Sequence, residues 1–379
     1  LADWVEKTDS GDRSELSWMG DNDPNWRHLD ARSDTCTGQK CSYFDQCYVT
    51  RMRQKALESD LIIVNHSLFF ANLALETDEI GRVLPNFSVL ILDEAHEVED
   101  IAANHFGKQV SNHQIESLCH DWRKLATVIP ELSDLVDKIE TSAALFFGSF
   151  PSVKGRHSLN FFQDPEAGTM DLRSSSAQLR QRLQNTLLAL FHGLEQSSSR
   201  PSEADPLVRR LEQTMTALEE IFNPEPSENV YWFERRPSGV FLHVNPINMA
   251  PILKEHLFSR TDTAIFTSAT LTTNNDFEYF KARLGIPEPK EIVTASEFDF
   301  AEQAVLFIPH IPGPRSHDYL SHALQEIRKI LTLTEGNAFL LFTSFAQMNR
   351  VYESLCQEIP FPLLRQGDLP KNHLLEVFR

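Results

Sequence analysis

Hydrophobic residues follow two rhythms along this 379-residue chain. Short unbroken apolar runs of strand length occur at 61–64 (LIIV), 89–92 (VLIL), 264–266 (AIF), 304–309 (AVLFIP) and 338–342 (AFLLF). The first run continues as LIIVNHSLFFANLAL, which reads as a strand, a polar break at Asn65-His66 and a helix. Strands at 61–64 and 89–92 around a helix-period segment predict a parallel α/β sheet. From about 104 to 228 the rhythm becomes helical: Leu132, Leu135, Val136, Ile139; then Leu179, Leu183, Leu187, Phe191, Leu194; then Leu207, Leu211, Met215, Leu218, Phe222. Loops rich in Ser, Pro and Gly separate these stripes, and no strand is predicted among them. The stripes read as core-facing positions of a helical insertion into the sheet domain.

After the insertion, VYWFERRPSGVFLHV predicts a hairpin turning around Ser238-Gly239. A helix over 317–333, the apolar run at 338–342, and a helix over 346–358 predict a second α/β unit. The expected division is 1–55 a cysteine-bearing segment, 56–103 and 229–302 the two parts of one sheet domain, 104–228 the helical insertion, and 303–379 part of a second sheet domain.

Composition fits a soluble globular protein, with 41% hydrophobic and 23% charged residues. No apolar run approaches the ~20 residues a membrane helix requires. The first residues lack a basic start followed by an apolar core, so no secretory signal is read and a cytoplasmic setting is expected. A net charge of −19 argues against broad adhesion to nucleic acid, though not against binding in a narrow channel, where local charge decides. Basic clusters stand at 51–55 (RMRQK), Arg209-Arg210 and Arg235-Arg236. Each has the alternative reading of a solvated face.

Cys36, Cys41 and Cys47 form a C-x4-C-x5-C cluster, and the chain has only two other cysteines, Cys119 and Cys356. Clustered thiols inside a cell suggest a zinc or iron–sulfur site rather than disulfides. Three ligands leave a tetrahedral site one short. His28, Cys119 or a residue upstream of Leu1 could complete it.

In LDEAH, residues 92–96, an apolar strand delivers Asp93 and Glu94 at its end, with His96 two places on. That pattern suits a magnesium carboxylate at Asp93, a water-activating base at Glu94, and a nucleotide-sensing His96. TSATL at 267–271 puts Ser268 and Thr270 at the end of another apolar strand, where open α/β sheets bind ligands.

LDEAH, TSATL, FTSF (342–345), RQG (365–367) and the cysteine segment occur in the order seen in superfamily-two helicases of the XPD/DinG type, which this chain resembles along essentially its whole length. The stretch from Asp34 through Leu73 resembles the bacterial YoaA branch most. The resemblance implies RecA-like motor domains, ATP-driven 5′ to 3′ translocation on single-stranded DNA in repair or replication, and use of Mg2+. It implies a 4Fe–4S cluster with Cys36, Cys41 and Cys47 as three of four ligands, and makes the helical insertion an arch over the strand. Ser268 and Thr270 match the element coupling hydrolysis to DNA. Candidate DNA contacts are Arg51, Arg53, Asn65, His66, Phe345 and Gln347, and repair or replication proteins are the expected partners.

Three family features are missing. The phosphate loop G-x-x-x-x-G-K-S/T has no counterpart, since Gly107-Lys108 lacks the upstream glycine and the hydroxyl residue. The first cluster cysteine and the late arginine motif are also missing, and in SEFDF Glu297 stands where proline is expected. The expectation is a fragment of a longer helicase. Alternatives are a non-catalytic DNA- or partner-binding piece and a zinc-bound module.

Overall fold

A computed structural model of the chain describes residues 2–16, 18–19, 25–26, 29–31, 36–75, 83–125, 129–159, 170–195, 201, 204–223, 228–369 and 371–378. The chain divides into two compact units: Ala31–Glu291, and Leu1–Asp30 together with Ile292–Arg379.

Within Ala31–Glu291 the fold is mixed α/β with two cores. In the first, strand β1 (Val89–Leu92) pairs in parallel with strand β6 (Thr263–Phe266), in the register Val89 to Thr263 through Leu92 to Phe266. Phe69, Phe70 and Leu73 from the helix His66–Ala74, Val98 and Ala102 from the helix Val98–Phe106, and Leu253 and Leu257 close this core with Leu92. Asn65 caps the first of these helices, its Oδ1 accepting the Leu68 N–H at 2.7 Å.

The second core runs from Val110 to Val244, so the hairpin expected within the β1–β6 sheet domain instead joins the helices of 104–228. Four strands run antiparallel in the order β2 (Lys108–Ser111), β5 (Gly239–Pro246), β4 (Asn229–Arg236), β3 (Gly155–Ser158). Period-two alternation sends Tyr231, Phe233, Val240, Leu242 and Val244 inward. They meet helices Asn112–Leu125, Ser133–Gly148, Met170–Glu195 and Asp205–Phe222, whose Leu183, Leu187, Leu190, Leu211 and Leu218 are fully buried. Arg210 does not belong to a solvated face: it donates to Asp121 Oδ2 at 2.7 Å, tying two of these helices together with both side chains largely buried. The predicted β4–β5 hairpin forms. Gly239 has φ of 157°, and a Cβ there would collide with Asn112 Oδ1, which accepts the Val240 N–H.

Strands β2 and β3 correct the purely helical reading of 104–228. Their sequences, KQVS and GRHS, carry no apolar run, and they become strands by pairing with the flanks of a hairpin distant in sequence. Residues 61–64 also depart from expectation. They are not a ladder strand among the described residues, and β1 takes its parallel partner from β6 instead.

In the other unit, helices Tyr319–Leu333 and Phe345–Leu355 bury Leu324, Leu331, Val351 and Leu355 against one another. Residues 338–342 pack Ala338, Leu340 and Phe342 on that core and leave Leu341 91% exposed. The apolar runs at 338–342 and 304–309 predict strands, yet neither has a ladder partner among the described residues. Alternation fixes which side of an extended segment is apolar; only a neighbouring strand supplies the hydrogen bonds.

Candidate functional site

The turn after β1 is held by the chain beside it. Thr267 N–H donates to Leu92 O at 2.9 Å and Ala95 N–H donates to Thr267 O at 3.0 Å, carrying the parallel ladder past both strand ends. Between these bonds Glu94 adopts a left-handed conformation, φ 48° and ψ 44°, which costs a non-glycine residue about 1–2 kcal/mol. A 3-10 turn, Ala95–Glu97, and the helix Val98–Phe106 follow. Arg283 anchors that helix by its ion pair with Glu99 and donates to Ile247 O at 3.2 Å.

This geometry gathers four of the five predicted residues of the carboxylate site. His96 Nδ1 lies 2.8 Å from Ser268 Oγ and 3.3 Å from Glu94 Oε2. Ser268 donates its hydroxyl to Glu94 Oε2 at 3.4 Å, and its oxygen accepts the Thr270 N–H at 3.3 Å. The Ser268–His96 contact takes its direction from the imidazole tautomer, Nδ1–H donating to the Ser268 oxygen or bare Nδ1 accepting its hydroxyl proton. Thr270 Oγ1 lies 3.5 Å from Ser268 Oγ. Asp93, the fifth, is exposed at the end of β1 with no hydrogen bond or ion pair among the described residues. Sequence reading missed Thr267, which acts through its backbone and so leaves no side-chain signal.

Gly107-Lys108, the nearest approach to a phosphate loop, serves another purpose. A Cβ at Gly107 would sit within 2.8 Å of Asn245 Nδ2, Val244 O and Ala103 O, and Lys108 pairs with Glu220. The dipeptide is a helix-to-strand turn pressed on β5.

The three clustered cysteines are free and partly exposed. Cys41 and Cys47 each follow a short 3-10 turn, Gly38–Lys40 and Phe44–Gln46, while Cys36 Sγ accepts the Gly38 N–H at 3.4 Å. Cys47 begins the helix Tyr48–Leu57. Burial raises its thiol pKa, but the N–H groups of Thr50 and Val49, the Thr50 hydroxyl and the Arg53 charge together bring it below the ordinary value. The donor chemistry suits iron or zinc. Among the described residues no three His, Cys, Asp or Glu side chains converge as a metal site. Cys119 is deeply buried in the helical core, its thiol pushed up to about 12 chiefly by burial, which removes it as a fourth ligand. His28 lies outside the described residues.

The predicted DNA contacts are scattered. Arg51 stacks over Tyr48 at 4.6 Å and donates to Gln46 O, whereas Arg53 leaves its Nε buried without a partner. Asn65 is occupied as a helix cap and His66 opens that helix. Phe345 and Gln347 lie in the first turn of a helix in the other unit, with Phe345 exposed and the Gln347 N–H capped by Ser344 Oγ.

Similarity to known proteins extends over essentially the whole chain. The ATP-dependent DNA helicase YoaA of Haemophilus influenzae is 28% identical over 383 residues, covering 99% of this chain and 58% of the relative. The ATP-dependent helicase DinG of Mycobacterium tuberculosis is 24% identical over 391 residues, covering 100% of this chain and 56% of the relative. This chain is similar to helicases named YoaA and DinG. It spans less than three-fifths of the length of these relatives. No family model matches it. Among solved structures, that of S. tokodaii Xpd4 aligns with a TM-score of 0.44 at 12% identity, over 81% of this chain and 57% of that one. No helix among the described residues is long and apolar enough to cross a membrane.

Proposed function

We propose that this chain is the DEAH-bearing part of an ATP-dependent DNA helicase that moves 5′ to 3′ on single-stranded DNA in the bacterial cytoplasm. The observation that carries the reading is the contact of Glu94, His96 and Ser268 at the carboxyl ends of two parallel strands. Such strand ends are where open α/β sheets present ligands.

In this reading Asp93 would hold Mg2+. Mg2+ binds through one or two carboxylates plus phosphates and waters, so a single exposed carboxylate at a strand end fits it. The ion, when bound, would offset charge on the β- and γ-phosphates. Glu94 orients the attacking water and takes its proton. His96 bridges Glu94 to Ser268, so a change at the γ-phosphate reaches the chain that carries Thr270. The left-handed Glu94 backbone supports this, because strain of that kind persists where the surrounding structure enforces a functional geometry.

Cys36, Cys41 and Cys47 are read as three ligands of a 4Fe–4S cluster. Their thiol chemistry and, for Cys47, the lowered pKa support this. The hydrolysis step above does not depend on that group.

The test is ATP hydrolysis, with and without oligonucleotide, by the 379-residue chain beside a version extended to the length of its relatives. DNA-stimulated turnover in the extended protein supports the reading. Turnover in neither protein removes Asp93 and Glu94 from it.

A further inference from the structure

The second core is built from chain that lies between β1 and β6 in sequence, so the chain leaves the β1–β6 core and later returns to it. It leaves along the helix Val98–Phe106 and returns at Ile247, just before Met249 re-enters that core. Two side chains join this exit to this return. Arg283 Nη2 pairs with Glu99, in the first turn of the exit helix, and donates to Ile247 O at 3.2 Å. Asn245 Nδ2 donates to Ala103 O, in the last turn of the same helix, at 2.8 Å. The Asn245 amide is itself oriented, because its Oδ1 accepts the Trp232 indole N–H at 3.0 Å.

Arg283 is also tied to the strand that delivers Ser268. Its helix, Glu278–Leu284, packs Phe280 against Phe266, the last residue of β6, with ring centroids 5.7 Å apart. Leu284 is buried in the same core, and Gly285, at φ 71°, ends the helix where a Cβ would collide with Ala250. Between Thr270 and this helix, Thr273 and Asp276 exchange backbone hydrogen bonds at 2.9 and 3.1 Å. On the other side, Glu99 lies three residues after His96, on a helix whose Val98 and Ala102 are fully buried. The ion pair therefore joins the same two chain segments as the His96–Ser268 contact. The Glu99 and Arg283 side chains are 24% and 36% exposed, and pairs that open to solvent contribute little to stability. A guanidinium held by partners on two segments instead sets a distance.

We propose that Arg283 is a positioning residue for the Glu94–His96–Ser268 group, and that with Asn245 it makes the exit helix the mechanical link between the hairpin sheet and the hydrolysis site. Arg283 holds the first turn of that helix and Asn245 its last turn, and the helix follows directly from the 3-10 turn that carries His96. A displacement of the hairpin strands pulls on both ends of the helix and moves His96 relative to Ser268. Misplacing groups around a reacting water by about 1 Å is enough to cost on the order of 100-fold in rate. The consequence for hydrolysis rests on the helicase reading; the positioning of His96 does not.

NMR of the histidine-labelled 379-residue chain reads the geometry without nucleotide, with the His96 signal assigned by its absence in His96→Asn. Arg283→Met removes the charge, keeps the stem, and shifts the His96 resonance; Arg283→Lys restores it. Glu99→Gln gives a shift of the same kind, and combining it with Arg283→Met adds nothing further, as expected of one interaction. Glu99→Gln carries the test if Arg283→Met fails to fold. In the extended protein, Arg283→Met lowers kcat for ATP hydrolysis about 10-fold and changes KM by less than about 2-fold, because the aim of Glu94 changes and the nucleotide contacts do not. Asn245→Ala lowers kcat by less, with KM again held. An unshifted His96 resonance in both Arg283→Met and Glu99→Gln overturns the proposal, whatever happens to Tm. A shifted resonance with unchanged kcat overturns the role in hydrolysis. No turnover by the wild-type extended protein removes the helicase reading instead, and the resonance alone then decides the positioning.

Discussion

His96 Nδ1 and Ser268 Oγ, 172 positions apart in the chain, lie 2.8 Å from each other. The contact joins the turn after β1 to the turn after β6, and Glu94 closes the triangle with both. A change in any of the three is therefore felt by the other two, which makes the group testable as a unit.

In the extended protein, Glu94→Gln keeps the shape and removes the base. Hydrolysis falls at least ~100-fold while ATP binding persists, the range expected for loss of a general base. Turnover assays with a nucleotide-binding measurement check it, and unchanged turnover removes Glu94 from the mechanism.

Ser268→Ala removes the hydroxyl that bridges His96 and Glu94. Basal hydrolysis falls less than in Glu94→Gln, but stimulation by DNA is lost, because the link from carboxylate to the Thr270 segment is cut. The ratio of turnover with and without oligonucleotide is the measurement, and a preserved ratio rejects the coupling role.

Arg210→Ala leaves Asp121 charged and largely buried, with Lys124 at 3.2 Å beside it. Removing one partner of a buried pair costs about 3 kcal/mol. Urea denaturation of Arg210→Met alone and with Asp121→Leu separates the causes. The double variant recovers most of the loss if the cost is the stranded charge.

His243 is held neutral, chiefly because burial on the sheet opposes its charge; Glu234 favours the charged form, and Arg236 and Arg156 oppose it. Its pKa falls from 6.5 to about 4, so between those values the unfolded chain binds a proton that the folded chain does not. Stability contributed by neutral His243 is complete above the unfolded value and is lost as pH falls from about 6.5 towards 4, by up to roughly 3 kcal/mol. Thermal melts at pH 7 and pH 4.5 should show a smaller acid-induced drop in Tm for His243→Phe than for the wild type.

Cys41→Ser addresses the cluster reading. Protein purified without oxygen and assayed for iron and for visible absorbance should carry iron in the wild type and lose it in the variant. Full iron retention by Cys41→Ser removes Cys41 from the ligand set, and zinc in place of iron rejects the cluster.

Much of the fold could be read from the pattern of residues. Helices such as Asp205–Phe222 and Tyr319–Leu333 repeat apolar residues every three or four positions, and the β4–β5 hairpin alternates around a Pro-Ser-Gly turn. The Asp93, Glu94, Ser268 and Thr270 pattern was equally legible, because residues at strand ends carry a local signature of an apolar run meeting polar side chains.

Tertiary structure decided what depends on a partner. Residues 61–64 and 338–342 have strand-like sequences and no ladder among the described residues, while the polar KQVS and GRHS are strands because β5 and β4 offer them backbone groups. Arg209-Arg210 and Arg235-Arg236 look alike in the sequence. One pair sends Arg210 into the helical core against Asp121, and the other ends a strand with Arg236 held to Glu234. A side chain's type and spacing set what it is able to do. Its partner, and so its burial and charge balance, is set by segments that sequence distance keeps out of view.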